Sequence, residues 1–233
     1  NKVVAYDLPS LVSPTLKWER IQTLDIGGDF GFFNNELNIS FDWYQRTTKD
    51  MLAPGQTMPD VLGAGAPKIN AGTLRTRGWE LSIDWRHHFN EVNVYANASI
   101  GDFKTVITKW DNDSQLLNEN YSGKVYGDIW GFETDRYFTK DDFNADGSYK
   151  EGIASQKKLE QDGFVYGPGD IKFKDLNNDK EINGGEGTVK DHGDLKVIGN
   201  TTPRYQYGFR LGGEWKGIDI DMFFQGVGKC DAW

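Results

Sequence analysis

The stretch ELSIDWRHHFNEVNVYANASI, residues 80–100, decides the fold. Leu81, Ile83 and Trp85 alternate with Glu80, Ser82, Asp84 and Arg86; after a turn, Val92, Val94, Ala96, Ala98 and Ile100 alternate with Asn93, Tyr95, Asn97 and Ser99. A period of two places one apolar and one polar face on each strand. The same alternation runs through Leu37, Ile39, Phe41 and Trp43 upstream. Working outward, it predicts six strands over 17–32, 37–48, 74–88, 91–108, 203–215 and 218–229. Their connections alternate between short turns, Phe33-Asn34-Asn35-Glu36, Phe89-Asn90 and Lys216-Gly217, and long loops, 49–73 and 109–202. Asn and Gly supply the positive φ that tight hairpins require. Short turns at one end and long loops at the other describe an up-and-down barrel wall.

Two solvents fit the apolar face. In a soluble antiparallel sandwich it is buried in a core; in a membrane barrel it meets hydrocarbon. Strand length and the placement of aromatic residues favour the second. Soluble strands average about five or six residues, whereas spanning strands need about 9–11. Along 203–215 the apolar face reads Tyr205, Tyr207, Phe209, Leu211, Gly213, Trp215. Ten residues cover roughly 33 Å, which at a tilt of about 40° matches the roughly 25 Å band between aromatic girdles. Trp79, Trp85, Tyr205, Tyr207 and Trp215 are therefore expected at the girdles. Gln206, Arg210, Glu214, Asp219, Asp221 and Gln225 would line a hydrated lumen. Six strands do not close a barrel, since bacterial barrels begin at eight, so the wall is expected to belong to a longer chain. The absence of a starting Met agrees with a fragment.

Composition narrows the function. No run approaches the roughly 20 apolar residues of a membrane helix. A mean hydropathy of −0.63 suits half-apolar strands with polar loops. The net charge of −9 would repel a phosphate backbone and argues against nucleic acid. Cys230 is the single cysteine, so no internal disulfide forms. With three histidines, and no G-x-S-x-G, H-E-x-x-H or Cys/His cluster, nothing points to an enzyme. His87 and His88 are adjacent on a strand, face opposite sides, and read as surface residues.

Asp175, Asn177, Asp179 and Glu181, with Glu186 at the twelfth place, follow the spacing of a calcium loop; place seven offers its backbone carbonyl. Lys180 stands where such loops use Gly for a sharp bend, and no helices flank the segment. A second run, Asp142, Asn144, Asp146 and Gly147, has Ile153 at place twelve and lacks the closing carboxylate. Aromatic residues in the long loops are expected mostly to pack the loop's own core. Trp110, Tyr121, Tyr126 and Tyr137 stand as weak candidates for stacking on cargo.

Several segments carry a family resemblance. GDIKFKDLNNDKEI (170–182), DHGDLKVIGNTTPRYQYG (191–208) and WKGIDIDMFFQGVGKCD (215–231) resemble the SusC/RagA type of TonB-dependent outer-membrane transporter. LKWE (16–19), YQRTTKDML (44–52), NAGTLRTRGWEL (70–81) and GDIWGFETDRYF (127–138) fit the same family in the same order. Cys230 and Lys180 depart from its usual residues. The resemblance implies an all-β, antiparallel transmembrane barrel of 22 strands with long extracellular loops, filled by a plug. It implies import of oligosaccharide or peptide across the outer membrane of a Gram-negative bacterium. A SusD-like surface lipoprotein would act as lid, and the TonB–ExbB–ExbD complex would supply energy through a plug region encoded before Asn1. A soluble calcium-dependent carbohydrate-binding β-domain is the alternative, and detergent dependence separates the two.

Overall fold

The computed structural model describes residues 12–54 and 66–232. Its larger unit contains a six-stranded antiparallel sheet: β1 (Arg20–Phe32), β2 (Leu37–Pro54), β3 (Lys68–Phe89), β4 (Val92–Trp110), β9 (Arg204–Trp215) and β10 (Ile218–Lys229), in the order β1-β2-β3-β4-β9-β10. The second unit, built chiefly from 112–121 and 127–202, contains two small ladders. In it β5 (Asp128–Phe132) pairs with β8 (Leu195–Asn200), and β6 (Thr134–Tyr137) with β7 (Ile171–Phe173).

Register turns the alternation into rows across the whole sheet. One row reads Phe32, Leu37, Trp85, Ala96, Leu211, Met222; the row two residues on reads Phe30, Ile39, Ile83, Ala98, Phe209, Phe224. Paired residues in an antiparallel ladder share a face, so these rows make a continuous apolar surface. The row between them, Gly31, Asn38, Asp84, Asn97, Arg210, Phe223, and the next one on, Asp29, Ser40, Ser82, Ser99, Gly208, Gln225, lie on the other face. Phe209 and Phe224 stack with centroids 4.8 Å apart.

The long strands overshoot the predicted ends. β2 reaches Pro54 and β3 begins at Lys68, so the expected loop 49–73 contracts to 55–67, of which 55–65 lie outside the described residues. The sequence pattern missed this extension because the outward face changes character while the backbone ladder continues. Beyond Ile26, Trp43 and Trp79, the next outward positions are Leu24, Gln45, Arg77 and Lys104, and Arg77 Nε donates to Gln45 Oε1 at 2.8 Å. The turn after β3 also differs from the expected Phe89-Asn90. Phe89 pairs with Val92, leaving Asn90 (φ 52°) and Glu91 as the connection.

β4 and β9 pair directly although residues 111–203 separate them in the chain. Where their ladder ends at Gly101–Gln206, a forked ion pair continues it: Arg204 Nε and Nη2 donate to the two Asp102 carboxylate oxygens, each at 2.5 Å. The planar guanidinium matches a carboxylate bidentately, which fixes register as well as adding attraction.

Candidate functional site

Exposure separates the two possible solvents of the apolar face. Ile26, Phe30, Leu211, Trp215, Ile220 and Phe224 are all exposed, Ile220 at 62% and Ile26 at 61%. A sandwich would bury this face under a second sheet. Among the described residues most large buried apolar side chains lie elsewhere, with Ile182 at 0% and Phe138 at 2% in the loop unit; Ile107, at 1%, is buried near the C-terminal end of β4, away from these rows. The sheet thus presents a wide apolar surface outward and a polar, charged surface on the other side.

The polar face is concave and lined by Ser40, Asp42, Tyr44, Glu80, Gln206 and Gln225, among others. Tyr44 and Tyr95 lie flat along it because Gly78 and Gly212 have no side chain. A Cβ on Gly78 would come within 2.5 Å of the Tyr44 ring, and one on Gly212 within 2.2 Å of Tyr95. Asp221 accepts hydrogen bonds from Tyr95 and from Arg210, whose Nε lies 2.7 Å from Oδ2. All six expected lumen residues, Gln206, Arg210, Glu214, Asp219, Asp221 and Gln225, share this polar face with Asp42 and Glu80. Phe223 is the apolar exception, at 62% exposure opposite Arg210.

On the outward face, Trp79 pairs with Trp43 at the upper edge of the apolar rows, and Trp85 pairs with Leu37 and Ala96 six residues below. Trp215 closes β9 beside Val92 and Ile218, while Tyr205 and Tyr207 stand at its opposite end. Tyr205 takes φ 53°, and the Arg204 guanidinium sits 5.5 Å from its ring centroid. His87 lies in the outward stripe between Trp85 and Phe89 and contacts Glu36 at 2.5 Å.

In the loop unit, the four stacking candidates diverge. Tyr121 is buried at 6%, and its hydroxyl accepts from Trp130 Nε1 at 3.0 Å. It belongs to the core there. Tyr137, on β6, is exposed at 67%. In the sheet unit, Tyr126 is exposed, whereas Trp110 folds over Gly72, where a Cβ would fall 2.3 Å from its ring. An aromatic cluster of Phe138, Phe143, Tyr149 and Tyr166 forms the loop core, with Phe138–Phe143 centroids at 5.2 Å. Gln156, fully buried, clips β7 by donating to the Ile171 carbonyl and accepting from Phe173 N–H.

The acidic loop at 175–186 bends sharply, and Lys180 does not prevent it. Lys180 adopts φ 66° and Asn178 φ 62°. The Asp175 carboxylate accepts the N–H of both Asn178 and Lys180, and Asp179 accepts that of Glu181. With the Asn177 amide, that last bond holds the Asp179 carboxyl below its usual range. Asp175 and Asp179 converge with Asp194, their oxygens within 4.8 Å of one another. Asp194 is fully buried and accepts from Leu176 N–H at 2.7 Å and Asn183 N–H at 3.0 Å, tying both flanks of the loop together. The sequence spacing missed Asp194 because it lies beyond the twelve-residue frame. Glu181 and Glu186 are not among the converging carboxylates, Glu181 pairing with Lys158 at 2.6 Å, while the Asn177 amide donates to Asp179 at 2.9 Å.

The second acidic run is committed elsewhere. Asp142 is buried and forked to Arg136, at 2.7 and 2.6 Å, and accepts from Thr139. The Arg136 guanidinium holds its carboxyl well below the usual range. Glu133 bridges Lys174 and Lys196, and these two ammonium groups draw its pKa down to about 2.

An antiparallel sheet with exposed apolar rows on one face, charge on the other and aromatic side chains at both ends of those rows is a segment of a membrane-spanning β-barrel wall. The chain belongs to the TonB dependent receptor-like, beta-barrel family, whose model matches residues 5–217. Relatives include the TonB-dependent receptor P3 of Formosa agariphila, 29% identical over 235 residues, covering 94% of this chain and 21% of that protein. The TonB-dependent receptor SusC of Bacteroides thetaiotaomicron is 27% identical over 217 residues, covering 85% of this chain and 19% of SusC. The RagAB peptide importer in its open-open state superposes with a TM-score of 0.64 at 22% identity, covering 94% of this chain and 21% of that one. The chain is of SusC/RagA type, spans about a fifth of its relatives, and lies in the outer membrane of a Gram-negative bacterium.

Proposed function

We propose that this segment forms wall and external loop of a transporter that imports oligosaccharide or peptide, with a SusD-like lipoprotein as lid and TonB–ExbB–ExbD as energy source. What carries the reading is the exposure of the outward rows, from Ile26 and Phe30 through Leu211 to Ile220, opposite a continuous polar face. Such a wall lowers no chemical barrier. It keeps a hydrated path behind a hydrocarbon-compatible surface, and the exposed Tyr137 and Tyr126 offer rings to cargo or lid. Trp79, Trp85, Tyr205, Tyr207 and Trp215 serve as interfacial anchors. The test uses the full-length protein in bilayers containing brominated lipid. Cysteine-linked fluorophores at Ile83 and Leu211 should be quenched and those at Ser82 and Arg210 should not; equal quenching of both faces defeats the wall. Cells lacking the gene should lose growth on the carried nutrient and regain it with the intact copy.

A second reading, favoured by the convergence of Asp175, Asp179 and Asp194, is that calcium rigidifies the loop unit. Three carboxylate oxygens within 4.8 Å of one another offer converging ligands to a hard cation, and calcium contacts oxygen at about 2.3–2.6 Å. Asp194 then takes the place that spacing assigns to Glu186. Calorimetric titration of chelator-treated full-length protein should show binding heat that Asp179→Ala removes; no heat in the wild type ends this reading.

A further inference from the structure

We infer that the outward face near the short-turn end holds a fixed seat for one zwitterionic aminophospholipid, its acyl chain in a groove and its headgroup at Lys216 and Glu91. The groove has a volume of about 360 Å³ and is lined by Val92, Leu211, Trp215, Ile218, Ile220 and Met222. Its floor is Gly213, which stands in an outward row between Val94 and Ile220. A Cβ there would meet only the Asn93 carbonyl oxygen at 3.2 Å and a Val94 methyl at 3.6 Å. The notch is therefore a missing side chain rather than a closed contact.

The occupant follows from position and charge. The groove continues the apolar rows that face hydrocarbon, so the seat rests on the outward face being the lipid face. Lipid chains already surround such a wall, so water exclusion does not select an occupant; shape and headgroup do. Short turns mark the periplasmic end of such barrels, and the turn beside the groove is Lys216-Gly217. There Lys216 Nζ lies 5.6 Å from the Trp215 ring centroid and 2.9 Å from Glu91 Oε2. Both charged side chains are more than half exposed. One cation and one anion at the rim of an apolar groove complement a headgroup bearing a phosphate and a primary ammonium. An anionic headgroup would take Lys216 for its phosphate and bring no cation for Glu91, and a quaternary ammonium gives that carboxylate no hydrogen bond.

Full-length protein in nanodiscs of equal phosphatidylethanolamine and phosphatidylglycerol, delipidated gently and weighed by native mass spectrometry, tests this. Wild type should retain phosphatidylethanolamine with about fivefold preference, the scale of a single interfacial charge contact. Gly213→Leu should release it. Lys216→Gln with Glu91→Gln should keep a bound lipid but level the preference. Heat-shifted gel mobility verifies assembly of each variant, and Ile220→Phe fills the groove from the neighbouring strand should Gly213→Leu fail to assemble. Retention of no lipid by wild type, or equal retention by the filled variants, overturns the seat. So does a dimer mass that Gly213→Leu abolishes, which would assign the groove to a second barrel. Failure of the quenching test would instead remove the wall itself, so the two ideas fail separately.

Discussion

The six-stranded sheet and the loop unit use the same apolar residue types in opposite senses. In the sheet, Ile26, Phe30, Leu211 and Ile220 point away from the protein and stay exposed. In the loop unit, Ile182, Phe138 and Phe143 are buried around tied-down charge, as in a water-soluble domain. One chain therefore contains a segment organised for hydrocarbon and a segment organised for water. What distinguishes them is the direction in which apolar side chains face, which composition does not report.

The contrast can be broken by substitutions that penalise one region and spare the other. Ile182→Ala should be the most costly, about 2–5 kcal/mol for truncating a fully buried side chain, read as faster hydrogen exchange confined to the loop unit. Unchanged exchange would mean that unit has no core of its own. Leu211→Arg should cost about 2–4 kcal/mol when the full-length barrel is unfolded from bilayers, whereas Gln206→Arg on the polar face should be close to neutral. Equal costs would erase the distinction between the faces. Arg136→Ala strips a buried carboxylate of its charged partner and should cost about 1–3 kcal/mol, with Thr139 still donating to Asp142. Again the loop unit alone should loosen.

The smallest effect is a pH dependence. Glu133 has its pKa drawn from 4.5 to about 2, so its contribution to folding is complete above pH 4.5. It fades as pH falls through that window, because below about 2 the folded state gains the proton too. Loop-unit exchange should therefore quicken between those values, and Glu133→Gln should flatten the change. An identical acid profile in the variant would assign the acid sensitivity to other carboxylates, with the depressed Asp142 first among them.

Much of the sheet was legible because its pattern is local and strict. Leu37 to Tyr44 alone declares strand, face and partner face, and the Lys216-Gly217 turn shows its positive φ values, 49° and 82°. Strand ends were less legible: Gln45, Arg77 and Lys104 dissolve the alternation while backbone pairing proceeds undisturbed. The loop unit was read least well. Its defining contacts join residues distant in sequence, as when Asp194 reaches Leu176 and Asn183, and no period announces them. Tyr121 looked like Tyr137 in sequence, and only packing made one a core residue and the other a surface one. Lys180 shows the converse, a residue type poorly suited to left-handed backbone that the Asp175 carboxylate holds there nonetheless.

Because β4 hands its ladder directly to β9, the excursion from 111 to 203 is an insertion between neighbours that already recognise each other. The Arg204–Asp102 fork closes the base of that insertion like a clasp. A change of length or sequence within that excursion therefore leaves the hydrogen bonds between β4 and β9 in place.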